Sequence, residues 1–126
     1  MVKTLSLLAF FSLFFPININ LFAHEPTNEP PEGQAIYEKH CLRCHGANGE
    51  GNGPDAATLI VPPTNLQSLE SRSKLDSELR SALIWGFVFS PMHGWWEKLT
   101  RKEIWAVIQY IREIAPYRPQ ASGYYL

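Results

Sequence analysis

Cys41-Leu42-Arg43-Cys44-His45 sets two thiols three residues apart, with an imidazole directly behind the second. On one helical turn that spacing lets both sulfurs reach the two vinyl groups along one edge of a porphyrin, and the next side chain falls beneath the iron. Cys41 and Cys44 are therefore candidate thioether anchors of a c-type haem, and His45 is its candidate proximal ligand. Competing chemistries fit poorly. A disulfide between such close neighbours closes too small a ring to constrain much chain. A zinc site lacks a second Cys or His pair to complete a tetrahedron, and a thioredoxin-like pair wants a βαβ setting that the sequence does not offer. The motif occurs once, so one haem per chain is expected.

A haem that only passes electrons keeps both axial positions filled, so that the iron need not gain or lose a ligand as its charge changes. Outside the N-terminal segment the only thioether is Met92, and the imidazoles besides His45 are His24, His40 and His93. Met92 follows Pro91 in a loop, away from any periodic apolar stripe that a gap-filling methionine would serve. It is the favoured distal ligand, His93 is the rival, and an open sixth position is the third option. Thioether ligation and burial both raise the reduction potential, so a positive value is expected. His40, directly before Cys41, is expected to face solvent.

Several elements must position these residues. A helix is expected from about Pro31 to Cys41, with Gly33, Ile36, Tyr37 and His40 at helical spacing. A glycine one turn before an aromatic implies that another helix comes close there. Gly46 to Gly53 holds four of the eight glycines, which predicts tight turns or close backbone approach. Asp55 to Ser71 keeps no periodicity, and Val61-Pro62-Pro63-Thr64-Asn65-Leu66 must be extended, so this reads as an irregular loop wrapping the haem. Ser73 or Asp76 is placed to cap a helix carrying Leu75, Leu79, Ala82 and Leu83 on one face and stopped by Gly86. An aromatic loop follows, with Phe87, Phe89, Trp95 and Trp96 around Pro91-Met92-His93-Gly94. Thr100-Arg101-Lys102-Glu103 is a capping box opening a last helix with Ile104, Val107, Ile108 and Ile111 as its buried stripe, ended by Pro116.

Residues 1–23 read as an export signal. Met1-Val2-Lys3 is a short positive start, Leu5 to Phe15 is apolar, and Leu21-Phe22-Ala23 suits a signal peptidase, so cleavage is expected after Ala23. The apolar run falls short of a bilayer span, and Pro16, Asn18 and Asn20 interrupt its extension. A periplasmic product without a membrane span follows. Residues 24–31 read as a flexible linker, 32–115 as the domain and 116–126 as a loose tail. At 126 residues, 45% of them hydrophobic, the chain builds one core. Its formal charge is −1, and without Lys3 ten basic residues face twelve acidic ones. Nucleic acid is therefore not an expected partner.

Together these residues resemble the class I c-type cytochromes of bacterial periplasms. The likeness covers roughly Glu32 to Ala115, carried by C-x-x-C-H with its glycines and Gly53-Pro54, Pro62-Pro63-x-x-Leu66, Pro91-Met92 and the final amphipathic helix. The resemblance implies an all-α cytochrome c fold, three main helices and wrapping loops around one haem. The first and last helices would cross near Gly33 and Tyr37 against Val107 and Tyr110. It also implies that a backbone carbonyl of Pro62 or Pro63 accepts a hydrogen bond from the His45 ring, orienting it. The chain lacks the lysine-rich surface of mitochondrial members, so partners are expected to dock transiently at the haem edge through an apolar patch, with the protein monomeric.

Two functions from different classes follow. One is a non-enzymatic one-electron carrier of the periplasm. The other is a haem c subunit, or docking partner, of a periplasmic redox enzyme complex such as a dehydrogenase or oxidase. A sensor or catalyst with an exchangeable sixth ligand is the third reading.

Overall fold

Residues 31–120 are described by a computed structural model. The expected export segment, all but the last residue of the expected linker, and most of the expected tail lie outside the described residues. Helices α1 (Glu32–His40), α2 (Leu42–His45), α3 (Leu69–Arg72), α4 (Asp76–Trp85) and α5 (Arg101–Ile114) are joined by loops, with one 3-10 turn at Ala56–Thr58. Among the described residues no strand forms, and a single bridge pairs Gly86 with His93. The expected all-α arrangement of three main helices holds, with α1, α4 and α5 as those helices.

The core lies where α5 meets α1 and α4. α5 starts from the expected capping box: the Glu103 amide donates to Thr100 Oγ1 at 3.2 Å, and the Thr100 amide donates to the Glu103 carboxylate at 2.7 Å. These two bonds occupy amide donors that a helix start leaves without intrahelical partners. Its apolar stripe, Ile104, Val107, Ile108 and Ile111, is buried as the 3.6-residue period requires. α1 crosses this helix at Gly33, where a Cβ atom would run into the backbone carbonyl of Ala106. Glycine is needed there for the helices to touch, and one turn on Tyr37 packs its ring 5.3 Å from that of Tyr110.

The middle of the chain departs from expectation in three places. Neither Ser73 nor Asp76 caps α4. Leu75 holds the cap position, with its amide donating to the Glu78 carboxylate at 2.6 Å. Asp76 instead receives Arg112 Nε at 2.8 Å, tying α4 to the end of α5, and Ser73 closes α3. The loop from Asp55 to Ser71 is not wholly irregular, since it contains the 3-10 turn and the start of α3, which Ser68 caps by accepting from the Ser71 amide. Both pieces are too short for periodicity to reveal. The first tail residues are held down as well: the Arg118 amide donates to the Arg72 carbonyl at 3.0 Å.

Candidate haem-binding site

α2 is a single turn, and a helix that short would leave its carbonyls without partners. The glycine-rich loop folds back to fill them. The amides of Gly46, Asp55, Gly53 and Gly51 donate to the carbonyls of Leu42, Arg43, Cys44 and His45 at 2.8, 2.9, 3.1 and 2.8 Å. A Cβ at position 53 would collide with the Leu42 and Arg43 carbonyl oxygens, so the return needs glycine. Gly46, Gly49 and Gly51 have φ values of 80, 73 and 77°, which supply the turns. Arg43 also grips Asp55 with a two-pronged ion pair at 2.7 and 2.8 Å. From above, the buried Tyr37 hydroxyl donates to the Gly46 carbonyl at 2.7 Å. The attachment turn is thus fixed from both ends before any ligand is considered.

Beside it lies a cavity of about 410 Å³, within the size range of ligand pockets, with walls that are mostly apolar. Cys41, Cys44 and His45 line it, as do Pro62, Pro63 and Thr64 from the wrapping loop, Leu79 and Leu83 from α4, Ile111 from α5, and Met92. His45 Nδ1 lies 3.0 Å from the Thr64 carbonyl, and a carbonyl can only accept, so the proton sits on Nδ1. That leaves Nε2 with a free lone pair for a metal. The expected orienting carbonyl of Pro62 or Pro63 is corrected to that of Thr64. The prolines line the cavity and stiffen the segment, and the next residue makes the bond, a choice set by where the extended chain passes His45.

The electrostatics suit a neutral donor set. Burial lowers the affinity of the His45 ring for a second proton, against the pull of the Thr64 carbonyl, so the imidazole is held neutral. Burial, reinforced by nearby Cys44, pushes the Cys41 thiol up to about 12, which disfavours thiolate chemistry. A thioether carries no charge and suits such a wall. Among the described residues no cluster of three or more His, Cys, Asp or Glu converges, so nothing there resembles a closed zinc site.

Met92 is delivered by an excursion pinned at its base. The Phe87 amide donates to the Met92 carbonyl at 2.9 Å, and the Trp95 amide to the Leu83 carbonyl at 2.8 Å. Within the excursion the Met92 amide donates to Ser90 Oγ at 3.1 Å. A Cβ at Gly86 would strike the Met92 carbonyl, so the base closes only on glycine. His93 is exposed and is not part of the cavity wall. Its Nδ1 lies 2.9 Å from the Gly94 carbonyl, and its ring lies 4.4 Å from that of Trp95. His40 does not simply face solvent: its ring packs 4.9 Å from the same indole, and this partial burial lowers its pKa. Sequence reasoning missed both this stack and Thr64. A carbonyl has no residue signature, and the stack joins residues more than fifty positions apart.

A family model described as cytochrome c matches residues 31–115. The chain is 31% identical over 99 residues to the thiosulfate dehydrogenase of Thiomonas intermedia, covering 76% of this chain and 30% of that protein. Among solved structures, a chain of the Kuenenia stuttgartiensis reducing HAO-like protein complex superposes with a TM-score of 0.62 at 26% identity, over 74% of this chain and 47% of that one. The c-type cytochrome KustC0563 matches with a TM-score of 0.52 at 25% identity, over 66% of this chain and 96% of that one. The chain therefore spans less than half the length of the first two relatives.

Proposed function

Because this chain belongs to the cytochrome c family, and so carries haem c covalently on Cys41 and Cys44, we propose that it is an exported one-electron carrier whose iron is ligated by His45 and Met92. The haem supplies a couple that gains or loses one electron without bond making or breaking. The residues supply everything else. Cys41 and Cys44 would hold the group on a turn whose carbonyls are tied down, so the attachment point is rigid. The Thr64 carbonyl fixes the His45 ring and its tautomer, leaving Nε2 for the iron. The apolar walls exclude water and penalise the extra charge of the oxidised state, which keeps the potential high.

The observation that carries this reading is that one cavity is lined by Cys41, Cys44 and His45 and also by Met92 from a loop nearly fifty residues away, with His93 absent from its walls. Replacing Met92 with Ala is expected to abolish the weak methionine-to-iron band at the red end of the visible spectrum. It should also lower the potential by about 0.1 V or more, a fraction of the roughly 0.8 V that axial ligands command. A wild type without that band, or a variant that keeps it, defeats the ligand assignment.

Residues 1–23 serve as a signal cleaved after Ala23, which delivers the domain to the periplasm. Among the described residues no helix is long and apolar enough to cross a membrane. A second reading, a haem subunit of a larger redox enzyme, is favoured by the relatives: the stretch matching this chain is 30% of a thiosulfate dehydrogenase and 47% of a chain from an HAO-like complex. Stoichiometric co-purification with another subunit supports it. A lone, monomeric, redox-active product supports the carrier.

A further inference from the structure

Met92 and His93 are neighbours in one loop, and both carry donors that suit iron. His93 is already in the state a metal takes: its Nδ1 lies 2.9 Å from the Gly94 carbonyl, which can only accept, so the proton sits there and Nε2 keeps its lone pair. Yet Met92 lines the cavity and His93 does not. Successive side chains of an extended segment point to opposite sides, so a slip of one residue would exchange the two.

The backbone guards against that slip thinly. Where the loop returns past the end of α4, a single bridge pairs Gly86 with His93, and among the described residues no ladder extends it. Two hydrogen bonds flank it, from the Phe87 amide to the Met92 carbonyl and from the Trp95 amide to the Leu83 carbonyl. Glycine at 86 and 94 lets the two segments approach closely but offers no side chain to keep them in step.

Trp95 supplies what the backbone lacks. Its ring is buried, only 8% exposed, and lies 4.4 Å from that of His93. The indole is itself held from several sides. Its residue's carbonyl accepts from the Lys98 and Leu99 amides, both at 2.9 Å. His40, the last residue of α1, packs its ring 4.9 Å away, and the Lys98 ammonium stands 5.4 Å from the ring centre. A ring fixed in this way is a seat for the imidazole. Drawing His93 inward would empty the seat and uncover its apolar face to water.

We propose that Trp95 is a positioning residue that decides the distal ligand: by seating the His93 ring outside the cavity, it keeps Met92 as the donor this loop offers. The proposal rests on the His45 and Met92 ligation read above. It gives the Trp95 ring a task that filling the core does not require, since a leucine would also fill the core but offers an imidazole no ring to stack on.

Trp95→Leu in the full-length holoprotein is expected to lose the methionine-to-iron band, to gain the electron paramagnetic resonance of low-spin iron with two imidazoles, and to lower the potential. Adding His93→Asn should restore the band and the potential, which it could not do for a merely loosened core. Should Trp95→Leu fail to fold, urea supplies the test on the natural chain. The band should fade before the helical circular dichroism does, and His93→Asn should carry it unfaded up to the unfolding transition. A folded Trp95→Leu protein with unchanged band and potential overturns the proposal, as does a loss that His93→Asn does not restore, or a band that responds to urea alike in wild type and His93→Asn. A wild type that never shows the band would instead defeat the Met92 ligation itself, whatever Trp95 does.

Discussion

Where α1 crosses α5, each group is claimed by another part of the same chain. Gly33 admits the Ala106 carbonyl, Val107 and Ile108 are fully buried, and the Tyr37 hydroxyl meets the Gly46 carbonyl. At the cavity, Leu79, Leu83 and Ile111 turn part of the core's edge into an apolar wall shared with Met92, and nearby Ile60, Val88 and Phe89 face water. The first region is self-sufficient. The second is shaped to take a bound cofactor. A chain this small cannot bury enough surface to stabilise a cavity as well as a core, so the two regions divide the work.

The comparison breaks most visibly if the cavity is removed from its cofactor. Cys41→Ser combined with Cys44→Ser, made without haem, is expected to lose most helical circular dichroism and its cooperative melt, because unfilled apolar walls compete with a total stability of only about 5–15 kcal/mol. A fully folded colourless product would show that the second region needs nothing from outside. Next in size, Gly33→Ala strikes the self-sufficient side. Forcing α1 off the Ala106 carbonyl should cost about 3 kcal/mol and lower Tm by more than about 10 °C, with the haem spectrum kept. A smaller shift would mean that the crossing gives way more easily than its close approach implies.

Tyr37→Phe sharpens the contrast further. It leaves the Gly46 carbonyl without its donor and should cost about 1–2 kcal/mol by chemical denaturation. Burial raises the Tyr37 phenol far above its ordinary 10.0, so the folded state keeps a proton that the unfolded chain gives up above pH 10. Its stabilisation is therefore full below pH 10 and falls as pH rises beyond it, and the Phe variant should lose that part of the alkaline decline. The smallest effect belongs to Thr100→Ala, about 1 kcal/mol from the lost cap, seen as a lower denaturation midpoint. Separately, the Thr100 amide and hydroxyl hold the Glu103 carboxyl below its ordinary 4.5, so the bonds made to that carboxylate are present above that pH and are lost as pH falls through the lowered value, while the cap bond from the Glu103 amide does not titrate. Acid titration of the variant should run flatter through that window.

The sequence carried the parts of the site and fold whose logic is local. The capping box, the α5 stripe, Gly86 as a helix stop and the C-x-x-C-H turn each work over one or two helical turns, so residue type and spacing suffice to find them. Even the α1–α5 contact left a trace, because only a close neighbour explains a glycine at position 33 within a helix. The α4 cap was misplaced because Asp76 was taken up by Arg112, thirty-six residues away, a demand that no local pattern records.

Taken alone, then, the sequence determined the cofactor chemistry and the identity of the three main helices, since thiol spacing and apolar period act between near neighbours. Tertiary structure decided that the Thr64 carbonyl meets His45, that Met92 joins the cavity wall while His93 turns to Trp95, and that Phe89 stands exposed in a strained backbone. These depend on where segments far apart in the chain meet, and that is set by packing of the whole domain, which composition and periodicity do not encode.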